Sequence, residues 1–160
     1  MAAGKDDAKS KLIAANRRAR RDYDLTETIE AGIMLIGSEV KSMREAQVQI
    51  AEGFVRFDDG EAYLLGMHVA PYLHAQEHSG HDPDRPRKLL MHRRELDRLK
   101  ALVDLERVSI VPLSLYFKDG KVKVELGIGK GRKLHDKRHA VAERDAKREV
   151  ERALAHRQRD

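Results

Sequence analysis

From Tyr23 the chain alternates between apolar and polar residues. Tyr23 and Leu25 are followed at even spacing by Ile29, Ala31, Ile33 and Leu35, with mostly Asp, Glu or Thr between the first of them. A period of two sends successive side chains to opposite faces, so this stretch predicts one long strand with a single buried face. Only Glu27 interrupts the apolar side. Gly32 inside the run predicts a bend or bulge of the kind a small barrel needs.

Two Asp-Gly turns extend the pattern. Gly53 to Phe57 and Ala62 to Leu65 flank Asp58-Asp59-Gly60, and Ser109 to Phe117 and Lys121 to Gly129 flank Asp119-Gly120. Asp-Gly between apolar runs is a strong hairpin signal. Pro112 predicts an edge position or a bulge in its strand. After Gly37, Ser38 is placed to cap a short helix from Glu39 to Ala46 that buries Val40 and Met43. Met91 to Val103 reads as a helix with Leu96, Leu99, Leu102 and Val103 on one face. Ala75 to Lys88, with its Pro, Gly and Asp, reads as a loop. The expected fold is mainly β with short helices: a small antiparallel β-barrel of oligonucleotide-binding (OB) type, with about six strands and two to three helices. A half-open sheet packed on a helix is the alternative.

The ends differ from this body. Residues 1–11 are polar and expected to be disordered, residues 12–130 form the barrel domain, and residues 131–160 form a basic tail. The large apolar residues of the tail are Leu134, Val141, Val150 and Leu154, too sparse to anchor a packed helix. Its Ala, Glu, Lys and Arg content favours helix. The tail is therefore expected to be disordered when free and helical on a polyanion.

Charge sharpens the division. Residues 1–21 carry +5, residues 22–129 carry −5 and residues 130–160 carry +5. Basic arms on a compact domain are the electrostatic footprint of a nucleic-acid binder, although terminal charge can also serve solubility alone. The absence of Cys excludes disulfides and thiolate metal sites, and makes a reducing cytoplasm the default. No apolar run is long enough for a bilayer, and the first ten residues lack the apolar core of a secretion signal.

Catalytic patterns are weak. There is no Cys nucleophile, and no Ser stands in a nucleophile elbow. Gly127 to Gly131 resembles a phosphate loop but lacks its spacing. His74, His78, His81 and His92 sit in or after a polar loop without ligand-spaced partners, so solvated histidines are expected rather than a metal site. The chain is not expected to be an enzyme, and no cofactor is expected. The basic arms say more. Asn16-Arg17-Arg18-Ala19-Arg20-Arg21 and Lys130 to Arg138 offer forked and point-charge contacts to phosphate. With four Tyr, three Phe and no Trp, stacking platforms are scarce, which favours a folded RNA bound by shape and backbone.

Several segments resemble, in order, those of the SsrA-binding protein family, also called small protein B. They are Asn16 to Arg20, Glu30-Ala31-Gly32, Gly37 to Arg44, Asp82 to Leu90, Val111 to Phe117 and Gly129 to Arg138. The resemblance implies an RNA-binding adapter that holds the tRNA-like domain of tmRNA and brings it to stalled ribosomes for trans-translation. By matching position it places Asn16, Arg17, Arg20, Glu30, Leu90 and Lys123 at the tmRNA. Glu30 either accepts from the RNA or pairs with Arg17 or Arg20. Leu90 either packs on a base or sugar or belongs to the core. The resemblance further implies that Lys130, Arg132, Lys133, His135, Asp136, Lys137 and Arg138 meet small-subunit rRNA in the decoding centre and mRNA channel, with His135 stacking on a base. Elongation factor Tu with GTP is implied as an indirect partner, through alanyl-tmRNA. Arg107 departs from the family, which often has Gly there, and implies a different turn. The Ala153-Leu154 pair is smaller than in some members. Two other readings remain: a general translation factor or ribosomal protein with a basic tail, and an RNA hydrolase with a histidine-rich metal site.

Overall fold

The computed structural model describes residues 10–73, 80–132 and 134–157, and the side chains of all of these except 134–140. In chain order the elements are β1 (Ser10–Ala15), α1 (Ala19–Asp22), β2 (Tyr23–Ile33), α2 (Gly37–Arg44), β3 (Val48–Gln49), β4 (Phe54–Asp58), β5 (Glu61–Leu65), β6 (His68–Val69), β7 (Arg87–Leu90), α3 (Arg93–Glu106), β8 (Ser109–Lys118), β9 (Lys121–Gly131) and α4 (Leu134–Arg157).

Seven strands make one antiparallel sheet in the order β1-β8-β9-β2-β7-β5-β4, and β3 pairs with β6 beside it. The sheet curls until β4 lies against β8, yet no ladder joins its two edges. The barrel is therefore not closed, which corrects the first expectation in favour of the half-open alternative. The strands and helices also outnumber the expected six and two to three. The additional pieces are short or lie outside any alternation. β3 and β6 have two residues each, and β7 begins at Arg87 within the stretch read as a loop. β1 reaches into the stretch read as disordered, with Ser10 opposite Lys118 and Lys11 opposite Phe117.

The long alternating strand and both hairpins stand where the pattern put them. In each Asp-Gly turn both residues have positive φ, 49° and 77° at Asp59 and Gly60 and 51° and 77° at Asp119 and Gly120. This backbone matches the twist of the flanking strands. β2 bulges between Leu25 and Glu27 rather than at Gly32. Gly32 is instead where β2 changes partner, lying opposite both Lys123 and Leu90. β8 bulges between Pro112 and Ser114, although it is an interior strand. Glu27 does not spoil the apolar side, because it leaves the core and accepts two bonds from Arg98 on α3, at 2.6 and 3.0 Å.

The concave side of the sheet holds the core. Ala31 and Ile33, Leu64, Leu89, Leu115, Val124, Leu126 and Ile128 pack there with Met43 of α2 and with Leu96 and Leu99 of α3. Each such Leu or Ile contributes about 1.5–3 kcal/mol on burial. Leu102 and Val103 only flank this core, and Val40, expected to be buried, is half-buried outside it. Ser38 does not cap α2. The Glu39 carboxylate instead accepts from the Ile36 N–H at 3.0 Å and sits fully buried between Arg85 and Arg87. Burial alone would push the Glu39 carboxyl up, but bonds from Arg85, the Ile36 amide and Arg87 outweigh it and hold it low. Arg87 also donates to the carbonyls of Met67 at 2.8 Å and Pro83 at 3.1 Å, so the pair ties α2 to two loops.

Beyond β9 the chain forms α4. Residues 142–157 are exposed, so this part of the helix adds little to the core. No described helix is long and apolar enough to cross a membrane.

Candidate nucleic-acid interface

Antiparallel pairing carries one row of residues across the convex face of the sheet. Leu90 on β7 lies opposite Gly32 on β2, Gly32 opposite Lys123 on β9, Lys123 opposite Tyr116 on β8, and Tyr116 opposite Leu12 on β1. Directly opposed residues share a face. Leu90 is 48% exposed and Leu12 63%, so Leu90 does not belong to the core. Its position depends on Gly32, where a Cβ would lie 3.2 Å from the Leu90 Cβ. The next row is Glu30, Glu125, Ser114 and Ala15.

Glu30, Leu90 and Lys123 thus come together, and they line one shallow hollow of about 430 Å³ with Met91 and His92. Glu30 also walls a second hollow of about 340 Å³ with Leu12, Ser114, Tyr116, Lys118 and Glu125. Glu30 pairs with neither Arg17 nor Arg20, contrary to one of the sequence alternatives. It accepts from the Tyr116 hydroxyl, and Lys118 Nζ lies 3.4 Å away. Burial and then the Glu30 carboxylate push the Tyr116 phenol up, so it stays a neutral donor at any ordinary pH.

Asn16 is placed differently from the rest. It is 8% exposed, its backbone N–H donates to Leu113 O at 2.8 Å and its Nδ2 to Pro112 O at 3.0 Å. Its Oδ1 is buried without a partner. Ala19, also buried, packs on Val111 and Leu113. These two residues pin the arm to β8, while Arg17 and Arg20 are exposed. Arg18 and Arg21 are partly occupied, by Glu52 and Asp22, each at 3.3 Å.

The two basic segments, distant in sequence, meet in space. Tyr23, just after α1, lies opposite Gly131, and Asp24 opposite Lys130. The Arg132 N–H donates to Asp22 O at 2.8 Å, and its guanidinium lies 3.9 Å from Asp24. Lys130 is exposed. α1 and α4 touch. No local pattern reports this meeting, because it depends on the register of β2 against β9.

The remaining tail candidates are less defined. Lys133 lies outside the described residues, and His135, Asp136, Lys137 and Arg138 are placed by backbone only, in the first turns of α4. Of the histidines, His74 and His78 lie outside the described residues. His81 is held by Ser38 Oγ and Val69 O, both at 2.9 Å, and His92 precedes α3. Among the described residues no group of three His, Asp or Glu side chains could hold a metal. The Gly127–Gly131 stretch runs within β9. Sequence reasoning missed Tyr116, Lys118 and Leu12, whose proximity to Glu30 appears only once β1, β8, β9 and β2 are aligned.

The SmpB protein family model matches residues 13–156. The SsrA-binding protein of Chloroflexus aggregans is 51% identical over 149 residues, 93% of this chain and 94% of that one. That of a Roseiflexus species is 48% identical over 159 residues, 99% of each. A chain of the solved structure "tmRNA-SmpB: a journey to the center of the bacterial ribosome" superposes with a TM-score of 0.64 at 46% identity, over 80% of this chain and 93% of that one.

Proposed function

The chain belongs to the SmpB family, and from that membership we propose that it is an RNA-binding adapter for ribosome rescue, working in the cytoplasm. It holds the tRNA-like domain of tmRNA and delivers it to stalled ribosomes, so that the nascent peptide is tagged for degradation and the ribosome is released. The observation that carries this reading is that one open sheet joins two basic segments, which meet at the Tyr23–Gly131 end of the β2–β9 ladder, to an exposed apolar-cationic row that crosses its Gly32–Lys123 end. Arg17 and Arg20 supply phosphate affinity that any RNA can use. Leu90, Lys123 and Glu30, fixed on strands, supply shape and polarity that only a matching RNA surface can use. Asn16 serves the arm, by anchoring it to β8.

The tail does the second job. Lys133, His135, Asp136, Lys137 and Arg138, with Lys130 and Arg132, occupy the decoding centre and mRNA channel, and α4 is the form the tail takes on that polyanion. Elongation factor Tu with GTP joins indirectly through alanyl-tmRNA. Removing residues 131–160 leaves affinity for the tRNA-like domain within about threefold and abolishes tagging in a reconstituted translation reaction. Loss of that affinity in the truncated protein would refute the division of labour.

The decisive titration compares the tRNA-like domain with an elongator tRNA and an unstructured RNA of equal length, at near-physiological salt. Preference for the tRNA-like domain is expected. Equal binding to all three, vanishing together as salt rises, would favour a general RNA binder.

A further inference from the structure

We propose that the second hollow is a further RNA-contacting subsite whose working residue is Tyr116, and that Glu30 acts on RNA through Tyr116 as a positioning residue. This rests on the adapter reading and extends it to residues outside the set of Asn16, Glu30, Leu90 and Lys123. Three observations converge. Tyr116 continues the Leu90, Gly32, Lys123 row directly, and Leu12 extends it to the sheet edge. The hollow holds a ring, an apolar side chain, the Lys118 ammonium and two carboxylates, Glu30 and Glu125. Glu30 has its carboxylate engaged by the Tyr116 hydroxyl and by Lys118.

The chemistry fits a nucleotide rather than a bare phosphate. Glu125 repels a phosphate group placed beside it but can accept from a ribose hydroxyl or a base amino group, while the Glu30 carboxylate is taken up by Tyr116 and Lys118. The ring of Tyr116 and the side chain of Leu12 offer the flat and apolar surface that a base or sugar covers. Lys118 meets the flanking phosphate. An acidic residue at the centre of an RNA face is costly if it faces phosphate alone. It is explained when its charge is spent on a tyrosine and a lysine that themselves face the RNA. Anchored at its hydroxyl, the ring has one orientation before RNA arrives, which lowers the ordering cost of binding.

Binding of the tRNA-like domain of tmRNA by the full-length protein tests this. Tyr116→Leu is expected to weaken it about tenfold, within the range of one lost base–aromatic stack, and Tyr116→Phe, which keeps the ring but loses the bond that anchors it, severalfold. Glu30→Ala weakens it severalfold, and Glu30→Gln, which can still accept from the tyrosine hydroxyl, recovers most of that loss. In the Tyr116→Leu background Glu30→Ala adds less than twofold. Contact is read separately from 3-fluorotyrosine incorporated at the four tyrosines, with the Tyr116 resonance assigned by its loss in Tyr116→Phe. That resonance is expected to shift when the RNA binds.

Wild-type affinity in a folded Tyr116→Leu protein, or an unmoved Tyr116 resonance, overturns the subsite. Losses that multiply in the double variant overturn the positioning role and make Glu30 an independent contact. If the unaltered protein shows no preference for the tRNA-like domain, the adapter reading fails first and this proposal falls with it.

Discussion

Glu39 shows how one residue couples helix, loop and strand. Its carboxylate and the Arg87 guanidinium are both fully buried and face each other, so neither can be removed alone without stranding a charge. Glu39→Ala is expected to cost about 3–5 kcal/mol in urea unfolding. Its folded-state pKa lies below the unfolded value. The stability it contributes is therefore full above the ordinary carboxylate range and declines as pH falls through the folded pKa. Unfolding free energy measured downward from pH 6 should fall, and Glu39→Gln should flatten that decline. Glu27 shifts in the same direction, through its bonds from Arg98, but it is an exposed pair and its share is small. At this scale the sequence was least legible. Glu39 stood only as the first residue of a short helix, because the arginines that bury it stand far along the chain in a segment that reads as loop.

The elements divide by whether they carry a period. β2, the two Asp-Gly hairpins and α3 were legible because each is long enough for its pattern to repeat. β3, β6 and β7 were not, because two to four residues hold no period and tertiary pairing alone makes them strands. The end of α3 repeats the lesson at one position. Arg107 has a φ of 54° in the left-handed region, and its N–H bonds to Val103 O at 3.1 Å. The turn that ends α3 is thus one a glycine would take without strain. Arg107→Gly should raise stability by about 0.5–1 kcal/mol, the left-handed penalty less the extra entropy glycine loses on folding. Thermal unfolding checks the sign. The same division holds for the interface. Lys123 was readable as outward-facing from its neighbours Val122 and Val124, but its alignment with Leu90 and Tyr116 needed the sheet register.

For the whole molecule the separation of arm and sheet face makes a quantitative distinction. Replacing Arg17 and Arg20 together by Ala should weaken binding to the tRNA-like domain and to an elongator tRNA by the same factor. It should also reduce the slope of log affinity against log salt by about 1–2. Lys123→Ala should instead narrow the preference between the two RNAs. The division into basic ends and an acidic body was plain from charge alone, while the spatial joining of those ends was not. That joining has a consequence for how the protein is made. β2 is an early strand, yet its main partner is β9, and Tyr23 must wait for Gly131 before its ladder can form. During synthesis the amino-terminal half therefore emerges with an apolar strand face uncovered. The β1–β8 and β2–β9 ladders close late, gated by the last hairpin, so the nascent chain carries exposed apolar surface until that hairpin leaves the ribosome.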